Sequence, residues 1–192
     1  MKTGDNSMID TEDRSWWYKY GEIGEKYFVE WVCPDLDIDC VINPMKEKDP
    51  TVPDLIANGR LADLKTQKTP FFTAGRYSKT VDGEQIAYDP TYTVTFNVKD
   101  ANRYFKHYRD IDIYFWVKWK ETMYAPPGMS PVNVLPISGV WVVPFMDLRE
   151  IINTHNYYVH SYMRRQGKTG NATESYLVDL RDLKELSWKQ IE

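Results

Sequence analysis

The dipeptide Asn58-Gly59 constrains this chain more than any other feature. Asn-Gly between two apolar runs is the strongest short-range hairpin signal, because the tight turn that joins twisted strands needs positive φ at both central residues. It lies inside VPDLIANGRLADLKTQ, residues 52–67, so strands are expected at about 53–57 and 60–67. Side chains alternate along a strand, so Asp63, Lys65 and Gln67 share one face and Leu64 takes the other. Asp54 opens the first strand, and folding back on the turn sets it across from Asp63.

The remaining pattern mixes both element types. Ile23, Tyr27, Phe28 and Trp31 have helical spacing and predict a helix over 16–32, closed by Pro34. A short strand is expected at 39–42, followed by the charged loop KEKD between Pro44 and Pro50. A strand lies within 85–96, where TYTVTF alternates. Residues 98–108 suit a short helix, 110–120 a long aromatic strand, and 137–145 an apolar strand of the kind buried in a sheet centre. Asp147 is placed to cap a helix over about 148–163. A polar, partly basic turn fills 164–173, and 175–186 reads as a short strand and a terminal helix. The expected fold class is α/β, a single domain with a central mixed β-sheet flanked by helices. Residues 1–15 read as a flexible tail and 16–192 as the domain, since 192 residues supply one sizeable core and not two.

Composition narrows the function. With 42% apolar and 27% charged residues the chain is not disordered as a whole. A net charge of -4 excludes a strongly basic, nucleic-acid-coating protein, but not an enzyme with a local basic face. Acidity is concentrated early: residues 1–64 carry 7 basic and 14 acidic side chains, and residues 65–128 carry 10 and 7. Cys33 and Cys40 match no zinc pattern and read as free thiols. The N-terminus lacks the apolar stretch of a signal peptide, and no run approaches a membrane span. An intracellular, cytoplasmic protein without membrane attachment is expected.

The hairpin carries the chemistry. Two carboxylates on facing strands make an oxygen-rich site suited to Mg²⁺. Such an ion polarises a phosphate, helps form hydroxide and stabilises the leaving oxygen. Lys65 beside them can orient the attacking water, offset phosphate charge and help keep the carboxylates ionised. Gln67 can hold water or a phosphate oxygen. Glu22 and Glu25, three apart on the first helix, share a face, so either can complete the site.

Pro53-Asp54, eight intervening residues, Asp63-Leu64-Lys65 and Gln67 resemble the PD-(D/E)xK nuclease superfamily, whose fold is restriction-endonuclease-like. The stretch YGEIGEKYFVEW, residues 20–31, resembles its first helix, which usually carries a glutamate. The resemblance spans about residues 16–145 in organisation and is residue-specific only at 22–25, 53–54 and 63–67. It implies metal ligands at Asp54, Asp63, the Leu64 carbonyl and Glu25 or Glu22, with Lys65 as the catalytic lysine and Gln67 in support. It further implies a Mg²⁺-dependent deoxyribonuclease, with Mn²⁺ as substitute, in which water attacks phosphorus in line and the 3′ oxygen leaves. DNA is the expected partner, and a homodimer would suit cutting both strands. The alternative is a catalytically inactive DNA-binding or assembly module on the same fold.

Several basic and aromatic residues are secondary candidates for a DNA backbone or base contact: Lys68, Arg76 and Lys79; Lys118 and Lys120 with Trp116; Arg164, Arg165 and Lys168; and Trp16 and Trp17. GKTG at 167–170 follows a helix and lacks the full phosphate-loop pattern. His107, His155 and His160 form no recognisable triad.

Overall fold

The computed structural model describes residues 14–125, 128, 130–162 and 173–190, with side chains described between 21 and 187 of these. Helix α1 (Arg14–Tyr27) continues through a π-helical turn (Phe28–Val32) into α2 (Cys33–Asp35). It starts two residues inside the expected tail; residues 1–13 lie outside the described residues. Pro34 does not close the helix. It sits in the first turn of α2, and the helix runs one residue past it to Asp35. The chain turns away at Asp37, which adopts φ 55.

β1 (Cys40–Ile42), β2 (Leu55–Ala57) and β3 (Arg60–Gln67) form an antiparallel meander. Its tight corner is the expected one: Asn58 and Gly59 take φ 49 and 75, and Leu55 pairs with Ala62. A second hairpin, β4 (Ser78–Val81) and β5 (Glu84–Ala87), turns the same way at Asp82 and Gly83, φ 52 and 84. Then come β6 (Thr93–Asn97), α3 (Val98–His107) and β7 (Asp112–Lys118), which returns parallel to β3. The Asn97 side chain accepts from the Lys99 amide and so caps α3. β8 (Met123–Tyr124) and β9 (Val132–Asn133) make a small ribbon before β10 (Ile137–Pro144). α4 (Phe145–Thr154), β11 (Val159–Ser161), β12 (Glu174–Asp179) and β13 (Lys184–Gln190) complete the chain.

The central six-stranded mixed sheet has the order β1-β2-β3-β7-β10-β13, with β3 and β7 parallel and its other pairs antiparallel. A three-stranded sheet, β11-β12-β6, packs beside it. One face of the central sheet shares a core with α3, α4 and the second sheet, through Phe96, Tyr104, Ile113, Phe115, Phe145 and Leu148. The opposite face holds the helical N-terminal segment through Phe28, Leu64, Tyr114 and Val140. Phe28 is fully buried and meets Tyr114 edge-on at 5.9 Å. The architecture is thus mixed α/β, with few helices around a mixed sheet.

Two further expectations change, and one is extended. The terminal helix is strand β13, which pairs with the outer edge of β10 and so satisfies backbone groups that helix formation would leave bare. The helix expected over 148–163 starts at Phe145 and ends at Thr154, and Asp147 lies in its first turn, favourable to the helix dipole, without acting as its cap. The strand expected within 85–96 is present as β6, and β5, in a separate two-stranded sheet, is an addition. Most of 164–173 lies outside the described residues. Among those described, no helix is long and apolar enough to cross a membrane.

Candidate functional site

The site begins where β3 outruns β2. Beyond the Leu55–Ala62 pair the edge of β3 is open, and the side chain of Asp54 covers it. Its Oδ2 accepts from the Leu64 amide at 3.3 Å. Leu64 therefore meets Asp54 through its N–H, while its side chain packs into the opposite core. Asn43, 3% exposed, fixes this corner: its Nδ2 donates to the Pro53 carbonyl at 2.8 Å, and its backbone amide donates to the Asp54 carbonyl at 2.9 Å. The Asn43 Oδ1 also accepts from Met45 N, capping the 3₁₀ turn Pro44–Glu47 that carries Lys46.

Lys46 joins the helix to the hairpin. Its Nζ lies 2.7 and 2.6 Å from the two Glu25 oxygens and 2.6 Å from Asp54 Oδ1. Burial works against its charge, but Asp54 and Glu25 outweigh burial and hold the ammonium above its usual pKa. Glu22 is exposed, one turn away. Of the two helix glutamates, Glu25 is the one that reaches Asp54's surroundings.

Asp63 and Lys65 point to the other face, towards α3. Asp63 is 2% exposed, and its pKa is pushed up to about 6. Burial is the main cause and the Asp54 charge adds to it, while Lys65 and the Tyr104 hydroxyl oppose. Lys65 Nζ lies 2.8 Å from Asp63 Oδ2 and 2.7 Å from Asp100 Oδ2. The ammonium is thus in ion-pair contact with both carboxylates. Burial opposes the Lys65 charge, yet Asp63, Tyr104, Asp100 and Asp54 raise its pKa well above normal. Lys65 thus stays protonated at neutral pH. Asp100, Arg103 and Tyr104 share one face of α3 at helical spacing. Arg103 pairs with Asp100 at 3.2 Å and donates to the Tyr104 hydroxyl at 2.8 Å.

Gln67 lies on the same face of β3 but is tied to β6 instead of to this cluster. Its Nε2 donates to the Thr95 carbonyl at 2.9 Å, and the Thr95 amide donates back to Oε1 at 3.3 Å. It stitches β3 to the edge of β6, which ties the side chain to the Thr95 main chain and away from the Asp63–Lys65 pair. Gln67→Leu is expected to destabilise the fold by about 1–3 kcal/mol through the two stranded backbone groups. Urea unfolding reads that loss; an unchanged midpoint would contradict the stitch.

Four carboxylates, Glu25, Asp54, Asp63 and Asp100, thus meet three cations, Lys46, Lys65 and Arg103. Hard oxygen donors and a residual negative charge fit a small divalent cation in chemical type. Their spacing is that of lysine-bridged pairs: among the described residues no group of three or more His, Cys, Asp or Glu stands together as a metal cage. Lys46, Asp100, Arg103 and Tyr104 escaped the sequence reading. Lys46 is one cation of a charged loop and Asp100 an acidic first-turn residue, and neither local setting signals a partner 21 or 35 positions away.

The other candidates have plainer places. Lys79 is buried between Asp179 and Asp182, so it is no backbone contact for DNA. Trp116 stacks on Tyr27 at 5.7 Å and 7°. Lys118 and Lys120 are exposed. His155 contacts Asp182, and His160 sits among Phe71, Tyr77 and Tyr162. Cys33 and Cys40 are free thiols. The side chains of Trp16 and Trp17, and residues 164–170, lie outside the described residues. No family model matches the chain, and no curated protein or solved structure matches it either.

Proposed function

We propose that this protein is a divalent-metal-dependent deoxyribonuclease of the PD-(D/E)xK type, on a restriction-endonuclease-like fold. The observation that carries the reading is the β2–β3 corner: Asp54, just before β2, accepts from the Leu64 amide beside Asp63 on β3, Lys65 shares Asp63's face, and Glu25 shares a cation with Asp54. The path of helix, three-stranded antiparallel meander, crossover helix and strand parallel to β3 agrees with it.

Asp54, Asp63 and Glu25 would hold Mg²⁺, with Mn²⁺ as substitute, beside the Leu64 main chain. The bound ion would supply charge neutralisation and a more acidic water. Lys65, kept protonated by Asp63 and Asp100, orients the attacking water and offsets charge on the phosphate. Because it keeps its proton, it positions the nucleophile and is not the base. Arg103 and Tyr104 fix the Lys65–Asp100 arm.

One observation favours a second reading. Lysines already neutralise the carboxylates in pairs, as expected of a catalytically inactive DNA-binding or assembly module. Plasmid, linear, single-stranded and branched DNA incubated with Mg²⁺, Mn²⁺ or EDTA separate the two. Cutting that EDTA abolishes is the expected result. Folded protein that binds DNA in a salt-dependent way, without cutting it or gaining stability from metal, would establish the inactive module.

A further inference from the structure

We infer that Lys46 is the site's built-in counter-cation, which holds Glu25 and Asp54 together and which a divalent ion must displace. The inference rests on the reading of these carboxylates as metal ligands. An ammonium has three donors and no acceptor, and here three carboxylate oxygens lie within 2.7 Å of Nζ. The Glu25 and Asp54 side chains are only 13% and 19% exposed. Two such carboxylates repel each other unless a cation lies between them, and the cation at that point is Lys46.

The geometry also explains why the acidic side chains do not gather as a metal cage. Nζ meets both Glu25 oxygens and one Asp54 oxygen; the other Asp54 oxygen accepts from Leu64 N. A divalent ion needs the same oxygens, so it and Nζ compete for them. The buried Asp63 carboxylate, whose Oδ2 pairs with Lys65, is a further oxygen donor that Lys46 leaves alone. Lysine suits the exchange because its charge ends a flexible four-carbon stem. The Pro44–Glu47 turn lies at the surface, where Met45 is 53% exposed, so the stem has solvent to swing into. The apparent metal affinity is then the intrinsic affinity reduced by the fraction of molecules in which Lys46 has withdrawn.

The test is Mn²⁺ and Ca²⁺ titration of the whole chain by calorimetry, with thermal unfolding in EDTA and in saturating metal. Wild type runs beside Lys46→Met, which keeps an apolar stem and drops the charge, and Lys46→Gln as a second replacement. The expected result is metal binding at least tenfold tighter in either variant. Their melting temperatures should also converge on wild type, lying below it in EDTA and level with it in saturating metal. Equal affinity in wild type and a folded variant would overturn the role of Lys46 and leave the nuclease reading standing. Metal binding by none of the folded proteins would overturn both.

Discussion

Lys65→Met is expected to reduce metal-dependent DNA cleavage about 10²–10⁴-fold, the range that a positioned polar group contributes to a transition state. The loss should fall on kcat, because Lys65 is buried against Asp63 and Asp100 and offers little general attraction to distant DNA. Lys65→Arg should not restore the rate, since a planar fork cannot replace a compact ammonium between two carboxylates. The variant will also be less stable, by about 3–5 kcal/mol if the buried partners stay ionised. Cleavage is therefore read well below the melting temperature, together with circular dichroism. A folded Lys65→Met protein cutting at the wild-type rate would remove Lys65 from the mechanism. A fall confined to KM would make it a binding residue only.

The same lysine shows what a sequence can and cannot reveal. Asp63 and Lys65 could be placed on one face because the turn at Asn58-Gly59 fixes the register, and a strand's two-residue period does the rest. Glu25 was legible only as one of a pair, since helix spacing selects a face and not the residue that reaches a given neighbour. Asp100 and Lys46 were invisible as partners. Their contacts depend on where α3 and the Pro44–Glu47 turn dock, and docking follows from the burial of Phe96, Tyr104 and Phe28 rather than from local pattern. Gln67 misled for the same reason. Its position on β3 was right, but the second sheet that claims its amide is built from strands about 80 residues apart.

The error at the C-terminus has another source. DLRDLKELSWKQ has helix-forming composition, and in isolation its propensity points to a helix. The open edge of β10 overrides it: seven residues of β13 complete the sheet, with a register shift between Val140 and Trp141. Tertiary pairing decided the element.

Asp63→Asn is expected to flatten the pH dependence of stability between about pH 4 and 6. The folded pKa of Asp63, about 6, lies above its ordinary value of 3.8, so in that window the folded state binds a proton that the unfolded chain has lost. Stability must therefore fall as pH rises through the window, by about 3 kcal/mol in all from this one group. Asp182 acts in the opposite sense. Despite burial, Lys79, Tyr157 and His155 lower its pKa, so its contribution is lost only as pH falls below about 4. The two windows do not overlap, and urea unfolding in EDTA at half-unit steps from pH 4 to 7 isolates Asp63. The wild-type curve should slope downward relative to the variant by about 1 kcal/mol per pH unit near pH 5; parallel curves would refute a raised Asp63. The proton also reports on the metal. A divalent ion binds the carboxylate, so stabilisation by Mn²⁺ in wild type should grow from pH 5 to 7 as Asp63 ionises. In Asp63→Asn both the stabilisation and its pH dependence should shrink. A variant that gains as much from Mn²⁺ as wild type would place the metal away from Asp63, and with it the chemistry.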